Sequence, residues 1–403
     1  MPQNSYTSIS KGREERVPAI TSPELDRSVE RDLAGLSRPI AASEPQTKPA
    51  ATAKASIAGI FAAAVATLAL LGAVNYAVDP YQQYRDATFY PARYWRPFQR
   101  YITPGLAKRP DYAVAIVGSS MLETLSNKEA SLLLGGTARN LCLSGSTAFE
   151  TGLVLDLALQ HAPIRRAMID LNVNSFAGAI NHRAVRDPLP QYLWDDSRLN
   201  DPRYLLSFDT ALRSLDILIG RRGGPEYSTD TDSPWAWTNR SAFSGKHVVD
   251  GLDPTDINHK FRQGPRTIDE MMANFDANLL TRIQAHPKVQ FDLVHPPYSI
   301  LAWTDFQQRK QVDVTLEFKH RVYQRVKSLP NVTVHDFQSA AVIDDLNQYT
   351  DIYHYGRGVG SWMLKGMRDG SFRVTDTNLE SLLAAQREKA SQADPRKIIA
   401  AYR

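Results

Sequence analysis

The chain has one cysteine, Cys142, which excludes an internal disulfide and any metal site made from cysteine pairs. It sits in the short run Asn140–Leu143 and reads as a buried strand thiol. Charge imbalance is also small: 47 Lys and Arg against 43 Asp and Glu leave a formal net charge of +4 over 403 residues. That excess is small for the length of the chain, so the electrostatic footprint of a nucleic-acid binder is missing and no nucleic-acid partner is expected. No internal repeat is present, and no His, Asp and Glu stand at metal-ligating spacing; neither a metal nor another cofactor is expected. Hydrophobic residues make up 43% of the chain, enough for a proper core in one large domain or two ordinary ones.

Charge is absent altogether from Ala55–Val78, between Lys54 and Asp79. At about 1.5 Å per residue such a run can cross the ~30 Å apolar slab of a bilayer. A signal peptide would stand at the N-terminus with a shorter apolar core, whereas about fifty mostly polar residues come first here. The run therefore predicts a membrane helix over residues 54–78. Ala58, Ala62 and Ala66 at four-residue spacing would permit close helix pairing. Residues 1–53, with scattered Lys, Arg, Glu, Ser and Pro, are expected to form a disordered cytoplasmic tail. Lys48 and Lys54 before the run are matched by Arg85, Arg93, Arg96 and Arg100 after it, so the positive-inside rule scarcely decides orientation. An extracytoplasmic C-terminal domain on the inner cell membrane is expected from the chemistry below.

Residues 79–110 read as a stem; Tyr76 just before it and Tyr81, Tyr84, Phe89, Tyr90, Tyr94 and Trp95 within it are suited to a water–lipid interface. Strands are expected at Tyr112–Val117, Asn140–Leu143 and Arg166–Val173. Ser126-x-x-Glu129 opens a helix stopped by Gly135-Gly136, and Thr147-x-x-Glu150 opens another running to about His161. Three strand–loop–helix units in succession argue for an α/β fold with a parallel sheet and helices on both faces. The pattern dissolves over about 178–264, where only Tyr204–Leu218 reads as helix, so this is an expected insertion. It resumes with helix Thr267–Ala285, strand Val289–Val294, helix Thr304–Ser328 and strand Val332–Phe337. A domain over 111–373 is followed by a charged helical tail, 374–403, with its helix at Asp376–Ala393.

In open α/β sheets ligands bind beyond the carboxyl ends of the strands, where the unusual loops of this sequence fall. Gly118-Ser119-Ser120 follows the first strand, and Asp351-Ile352-Tyr353-His354 precedes an apolar helix near the C-terminus. A serine hydroxyl needs a base within reach and a group that orients the base. Ser120, His354 and Asp351 are the candidate nucleophile, base and orienting acid, although each alone has an ordinary explanation as a helix cap or solvated loop residue. The N–H groups of Ser120 and Gly145 and the amide of Asn172 are candidate oxyanion donors, with Asn174 a rival to Asn172. His295 and Tyr298, in His295-Pro296-Pro297-Tyr298, and Trp303 are candidate substrate contacts. Trp194, Trp235 and Trp237 of the insertion could stack on sugar rings or fill a small core. His161, His286, His320 and His335 read as ordinary surface or core residues.

Ser at the first strand end, Gly at the second, Asn at the third and Asp-x-x-His near the C-terminus resemble the SGNH (GDSL-type) hydrolase superfamily over roughly residues 111–370. The Gly118–Ser120 form, the Asn140–Glu150 loop and the single N-terminal apolar run resemble its membrane-anchored branch, which includes the teichoic-acid D-alanyl transfer and alginate O-acetylation proteins. Two departures stand out: Ser119 replaces the usual acid of Gly-Asp-Ser, and Asp170-Leu171-Asn172-Val173 replaces Gly-x-Asn-Asp. The resemblance implies a three-layer sandwich with a mostly parallel flavodoxin-like sheet and a serine O-acyl esterase or O-acyltransferase. Its expected substrate is an envelope or exported polysaccharide, and a membrane acyl-donor protein is a further candidate partner. The alternative is a non-catalytic glycan-binding or scaffold subunit of a polysaccharide export or acylation complex.

Overall fold

A computed structural model of the chain describes residues 50–184, 189–221, 227–235, 237, 241–258 and 264–403, with the backbone alone for 50–55. The expected tail lies outside the described residues up to 49. The chain divides into two units, residues 1–61 and 62–403. Helix α1 spans Ala50–Val78, and its stretch Ser56–Val78 is long and apolar enough to cross a membrane. The helix ends where Asp79 takes a φ of +49°. The buried Asp79 carboxylate accepts the N–H groups of Gln83, Tyr84 and Arg85 at 2.8, 2.7 and 3.0 Å, which folds the chain back on itself.

Residues 79–110 are not a free stem. Tyr81, Tyr94 and Trp95 are buried, strand β1 (Tyr94–Trp95) pairs with part of the insertion, and helix α2 covers Gln99–Ala107. Buried Arg100 of α2 meets buried Glu150 at 2.8 Å. A sequence of aromatics suited to an interface is equally suited to a core, and the ion pair draws the segment into the domain. Glu150→Ala would strand the Arg100 cation without a carboxylate. The expected cost is about 3–5 kcal/mol, to be read by thermal unfolding of the purified variant.

Strand β2 (Val114–Val117), helix α3 (Asn127–Leu134), strand β3 (Ala138–Asn140), helix α4 (Ala148–His161) and strand β4 (Arg166–Asp170) follow in turn. The first and third expected strands are present but shorter; the second lies at Ala138–Asn140 and shares only Asn140 with the expected Asn140–Leu143, so Cys142 falls in the loop beyond it. β3 stops at Asn140 because its side-chain oxygen accepts the Cys142 N–H at 3.1 Å and its amide donates to Leu122 O at 2.8 Å, a local bond that competes with the ladder. Cys142 is buried. Thr147 and Glu150 complete the reciprocal capping box of α4. The Ser126 cap of α3 is one-sided, since Glu129 turns to Ser361 instead.

In the insertion, the expected helix Tyr204–Leu218 divides into α5 (Pro202–Leu205) and α6 (Phe208–Leu218), where Ser207 caps the second. β5 (Tyr227–Ser228) pairs antiparallel with β1, and α7 covers Gly245–Val249. Helices α8 (Ile268–Phe275) and α9 (Thr281–Ala285) are joined by a π turn at Asp276–Leu280. Strand β6 (Gln290–His295) leads to α10 (Ile300–Gln308) and α11 (Val312–Val326), not one helix: Lys310 with φ +55° breaks it. β7 (Val332–Asp336), α12 (Arg357–Asp369) and α13 (Leu379–Gln392) complete the domain. A further helix α14 (Pro395–Tyr402) is capped by Asp394.

The sheet is five-stranded and parallel, in the order β3-β2-β4-β6-β7. All four residues of β2 are buried, as a strand covered on both faces requires. The chain passes from β2 outward to β3, then crosses to β4 on the other side of β2. The order therefore reverses between β2 and β4, and in such sheets the crevice at the reversal is where ligands bind.

Candidate active site

Three strand ends meet at that reversal. Gly118, just past β2, has φ +151°, and a Cβ there would lie 2.5 Å from Asp170 Oδ1. Glycine is thus required for both conformation and space. Asp170 ends β4 and accepts the Ser119 N–H at 2.9 Å and the Ser119 hydroxyl at 2.6 Å. These bonds pin the Gly118–Ser120 turn to the neighbouring strand. Asp170 is buried, and burial raises its carboxyl to about 6 against the Ser119 hydrogen bonds. The folded protein therefore holds more protons than the unfolded chain between about pH 4 and pH 6. Asp170 should lower stability as pH rises through that window, by about 3 kcal/mol in all. Denaturant melts of Asp170→Asn across pH 4–7 should show this slope removed relative to the parent chain.

The turn presents Ser120 Oγ 2.8 Å from His354 Nε2, and His354 Nδ1 lies 2.7 Å from Asp351 Oδ2. Asp351 Oδ1 also accepts the N–H groups of Tyr353 and His354, at 2.7 and 2.8 Å. The short Asp-x-x-His loop is pinched between bridging residues Tyr349 and Tyr355. The loop after β6 holds it from behind: the Ser299 hydroxyl donates to Ile352 O at 2.6 Å and the Tyr349 hydroxyl to Pro297 O at 3.2 Å. The Tyr355 hydroxyl ties it to the Ser120 turn through Met121 O at 2.5 Å.

The His354 side chain is 27% exposed and that of Asp351 50%, so solvent reaches the pair. The packed surroundings of the His354 ring disfavour the imidazolium, but Asp351 and its hydrogen bond, with Glu123 beyond, outweigh them and raise its pKa. Around Asp351, packing opposes ionisation, yet His354 and the two backbone donors hold the carboxyl below its usual range. An imidazole flanked in this way takes a proton from a hydroxyl on one nitrogen while the other stays fixed by the acid.

The N–H groups of Ser120 and Gly145 bond to no described residue. Gly145 has φ +62° and open space around it. Its loop runs beside the Ser120 turn, since Leu143 N donates to Gly118 O at 2.9 Å. The Asn172 amide is held in place: its nitrogen donates to Ser119 Oγ at 3.0 Å, and its oxygen accepts the Tyr298 hydroxyl at 3.0 Å and the Asn174 N–H at 3.2 Å. Asn174 is turned away, its side-chain oxygen bonded to Arg266.

Three candidate contacts have no exposed surface for a substrate. His295, Tyr298 and Trp303 are 1%, 0% and 1% exposed. The expectation placed them on the strand-end face from their position in the chain. The loop after β6 instead turns inward under the His354 loop, and Tyr298 orients Asn172 from below. Burial lowers the His295 imidazole to about 3, so it is neutral. Trp303 packs edge-on against Phe306 at 5.6 Å. Of the insertion tryptophans, Trp235 is core against Tyr94, and half-buried Trp194 donates to Arg100 O at 3.0 Å. Trp237 stands edge-on to the His354 ring at 5.2 Å.

Three residues at the site gave no sequence signal. Glu123 is fully buried; burial raises its pKa against the nearby Arg96 and Gln99. Gln99 donates to Glu123 at 2.8 Å and accepts the Ser144 N–H at 2.7 Å, steadying the Gly145 loop. Half-buried Arg96 donates to Ser144 Oγ at 3.0 Å and lies 5.9 Å from the Trp237 ring. All three belong to segments without hydrophobic period or motif. Among the described residues no group of three or more His, Cys, Asp or Glu is placed to hold a metal ion.

No family model matches the chain, and no curated protein matches it.

Proposed function

We propose that the protein is a membrane-anchored serine enzyme of SGNH type that transfers or removes O-acyl groups on an envelope or exported polysaccharide. The observation that carries this reading is the unbroken hydrogen-bonded chain Ser120–His354–Asp351, at 2.8 and 2.7 Å, at the reversal of the sheet. The strand order and the resemblance of the Gly118–Ser120 and Asp351–His354 blocks support the finer three-layer SGNH-like sandwich.

In the mechanism, Ser120 Oγ attacks the acyl carbonyl carbon as His354 Nε2 takes the hydroxyl proton. The carbonyl oxygen becomes an oxyanion, for which the N–H groups of Ser120 and Gly145 and the Asn172 amide are the donors, each typically worth about 3 kcal/mol. The ester C–O bond breaks, His354 returns the proton to the leaving alcohol, and an acyl-serine remains. A water or sugar hydroxyl then attacks while His354 takes its proton, and the proton passes back to Ser120 as the product leaves. Trp237 offers a flat aromatic surface beside the reacting groups, and Arg96 a cation, both suited to a sugar ring and its polar substituents. The apolar helix α1 supports a single-pass anchor, and polysaccharide acylation chemistry favours an extracytoplasmic domain on the inner membrane. Labelling of the full-length protein with a serine-directed fluorophosphonate tests the reading: labelling is expected in the parent chain and lost in Ser120→Ala. Equal labelling of both would remove it.

A further inference from the structure

Helix α6 is built inside out. Its inward side carries polar residues: Thr210 and Ser214 are buried there beside Ile217. Asp209 accepts the Tyr81 hydroxyl at 2.5 Å, and the Arg213 guanidinium lies over the Phe98 ring at 4.9 Å. Its outward side is apolar: Phe208, Leu212, Leu215 and Ile219 are 76%, 43%, 52% and 63% exposed. They recur at i, i+4, i+7 and i+11, a single stripe along the helix. Leu218 beside them is 56% exposed and Leu206, just before the helix, 40%. A water-facing helix turns its polar stripe outward; this one turns it in, so water is not the solvent its outer face suits.

The stripe is fixed to the end of the apolar run of α1. Buried Asn75, one turn from the end of α1, donates from its amide to Leu205 O at 2.7 Å and accepts the Ser214 hydroxyl at 2.8 Å. A Cβ on Gly72 would touch Leu206 at 3.4 Å, so the exposed apolar surface of α1 continues onto the α5–α6 corner. Tyr76, next to Asn75, is 50% exposed, with the Arg85 guanidinium 4.4 Å from its ring centroid and Tyr84 at 4.9 Å. Amphipathic aromatics with a cation at a span's end mark the headgroup level, and Ser214 sets α6 at that same depth.

We infer that α6 lies in the membrane–water interface with its Phe208–Ile219 stripe among the lipid acyl chains, a second attachment beside the span. This rests on the reading of α1 as a membrane span. A helix lying in the interface plane buries such a face while its polar side stays with protein or headgroups. Here the domain covers Thr210 and Ser214, partly exposed Asp209 and Arg213 flank them at headgroup level, and the insertion is held against the bilayer.

The test uses the full-length protein in phosphatidylcholine–phosphatidylglycerol vesicles. Cys142 is buried, so a single introduced cysteine takes a polarity-sensitive fluorophore at Leu215→Cys, at Leu70→Cys in the span, or at Leu132→Cys, a highly exposed leucine of α3. Nitroxide-labelled lipid is expected to quench the labels at 215 and 70 to a similar degree and to leave 132 bright. Quenching at 70 with a bright label at 215 overturns the interfacial helix while the span stands. Bright labels at both overturn the span and the inference together. A label at 215 that lipid does not quench, but that shifts to the blue as protein-to-lipid ratio rises, assigns the stripe to a second copy of the chain and overturns the inference.

Discussion

Ser120→Ala and His354→Ala are each expected to reduce acyl transfer by about 10⁴-fold to 10⁶-fold, and the double variant by little more than either alone. Residues acting as one unit are strongly non-additive in this way, because once the nucleophile or its base is gone the rest of the unit has nothing to activate. Neither change should unfold the protein. Ser120 loses one bond to His354, and the turn that carries it stays pinned through Ser119 and Asp170. The check is release of acetate from an acetylated polysaccharide or a chromogenic acetyl ester, with folding confirmed by circular dichroism. A non-catalytic scaffold would show no activity in the parent chain and no effect of either variant on polysaccharide acylation in cells, while deletion of the domain would still abolish it.

Asp351→Asn should reduce kcat by about 10⁴-fold, since an amide at this position favours the wrong imidazole tautomer. Its pH profile should carry a second signature. His354 must be neutral to accept a proton, and its pKa is raised; the activity of the parent chain therefore climbs with pH through an apparent pKa above the ordinary histidine value of about 6.5. Removing Asp351 removes the chief influence raising that pKa and leaves the packed surroundings that lower it. The limb in Asp351→Asn should move to lower pH even as the plateau falls. Steady-state kcat/KM from pH 5 to 9 reads both effects, and a limb that stays fixed would detach Asp351 from His354.

What was legible in the sequence was what local chemistry dictates. The continuous apolar run ending in Val117 gave a central buried strand, Thr147 and Glu150 gave a complete capping box, and Gly135 with φ +78° stops α3 as a glycine at that position should. Ser120, Asp351 and His354 stood out only as a set: each alone has an ordinary explanation as a cap or loop residue, and it is the order of the Gly118–Ser120 and Asp351–His354 blocks that resembles a known superfamily. The rest depends on long-range packing. Nothing local shows that Lys310 breaks a helix, that the aromatic stretch after α1 pairs Arg100 with Glu150, or that the Pro296–Tyr298 loop folds inward. Glu123, Gln99 and Arg96 reach the site from segments with no period or motif, and Trp237 was one of three indistinguishable tryptophans. The inverted polarity of α6 is present in its sequence spacing, but which stripe faces out is decided by Asn75 reaching Ser214.

The most direct measurement is mass spectrometry of the full-length protein quenched in acid within milliseconds of mixing with an activated acetyl ester. An acetyl group on the peptide bearing Ser120, accumulating in the parent chain and missing from Ser120→Ala and His354→Ala, is the result expected of an alcohol activated by the ring beside it. Acetylation at another residue, or at Ser120 with undiminished rate in His354→Ala, would contradict it.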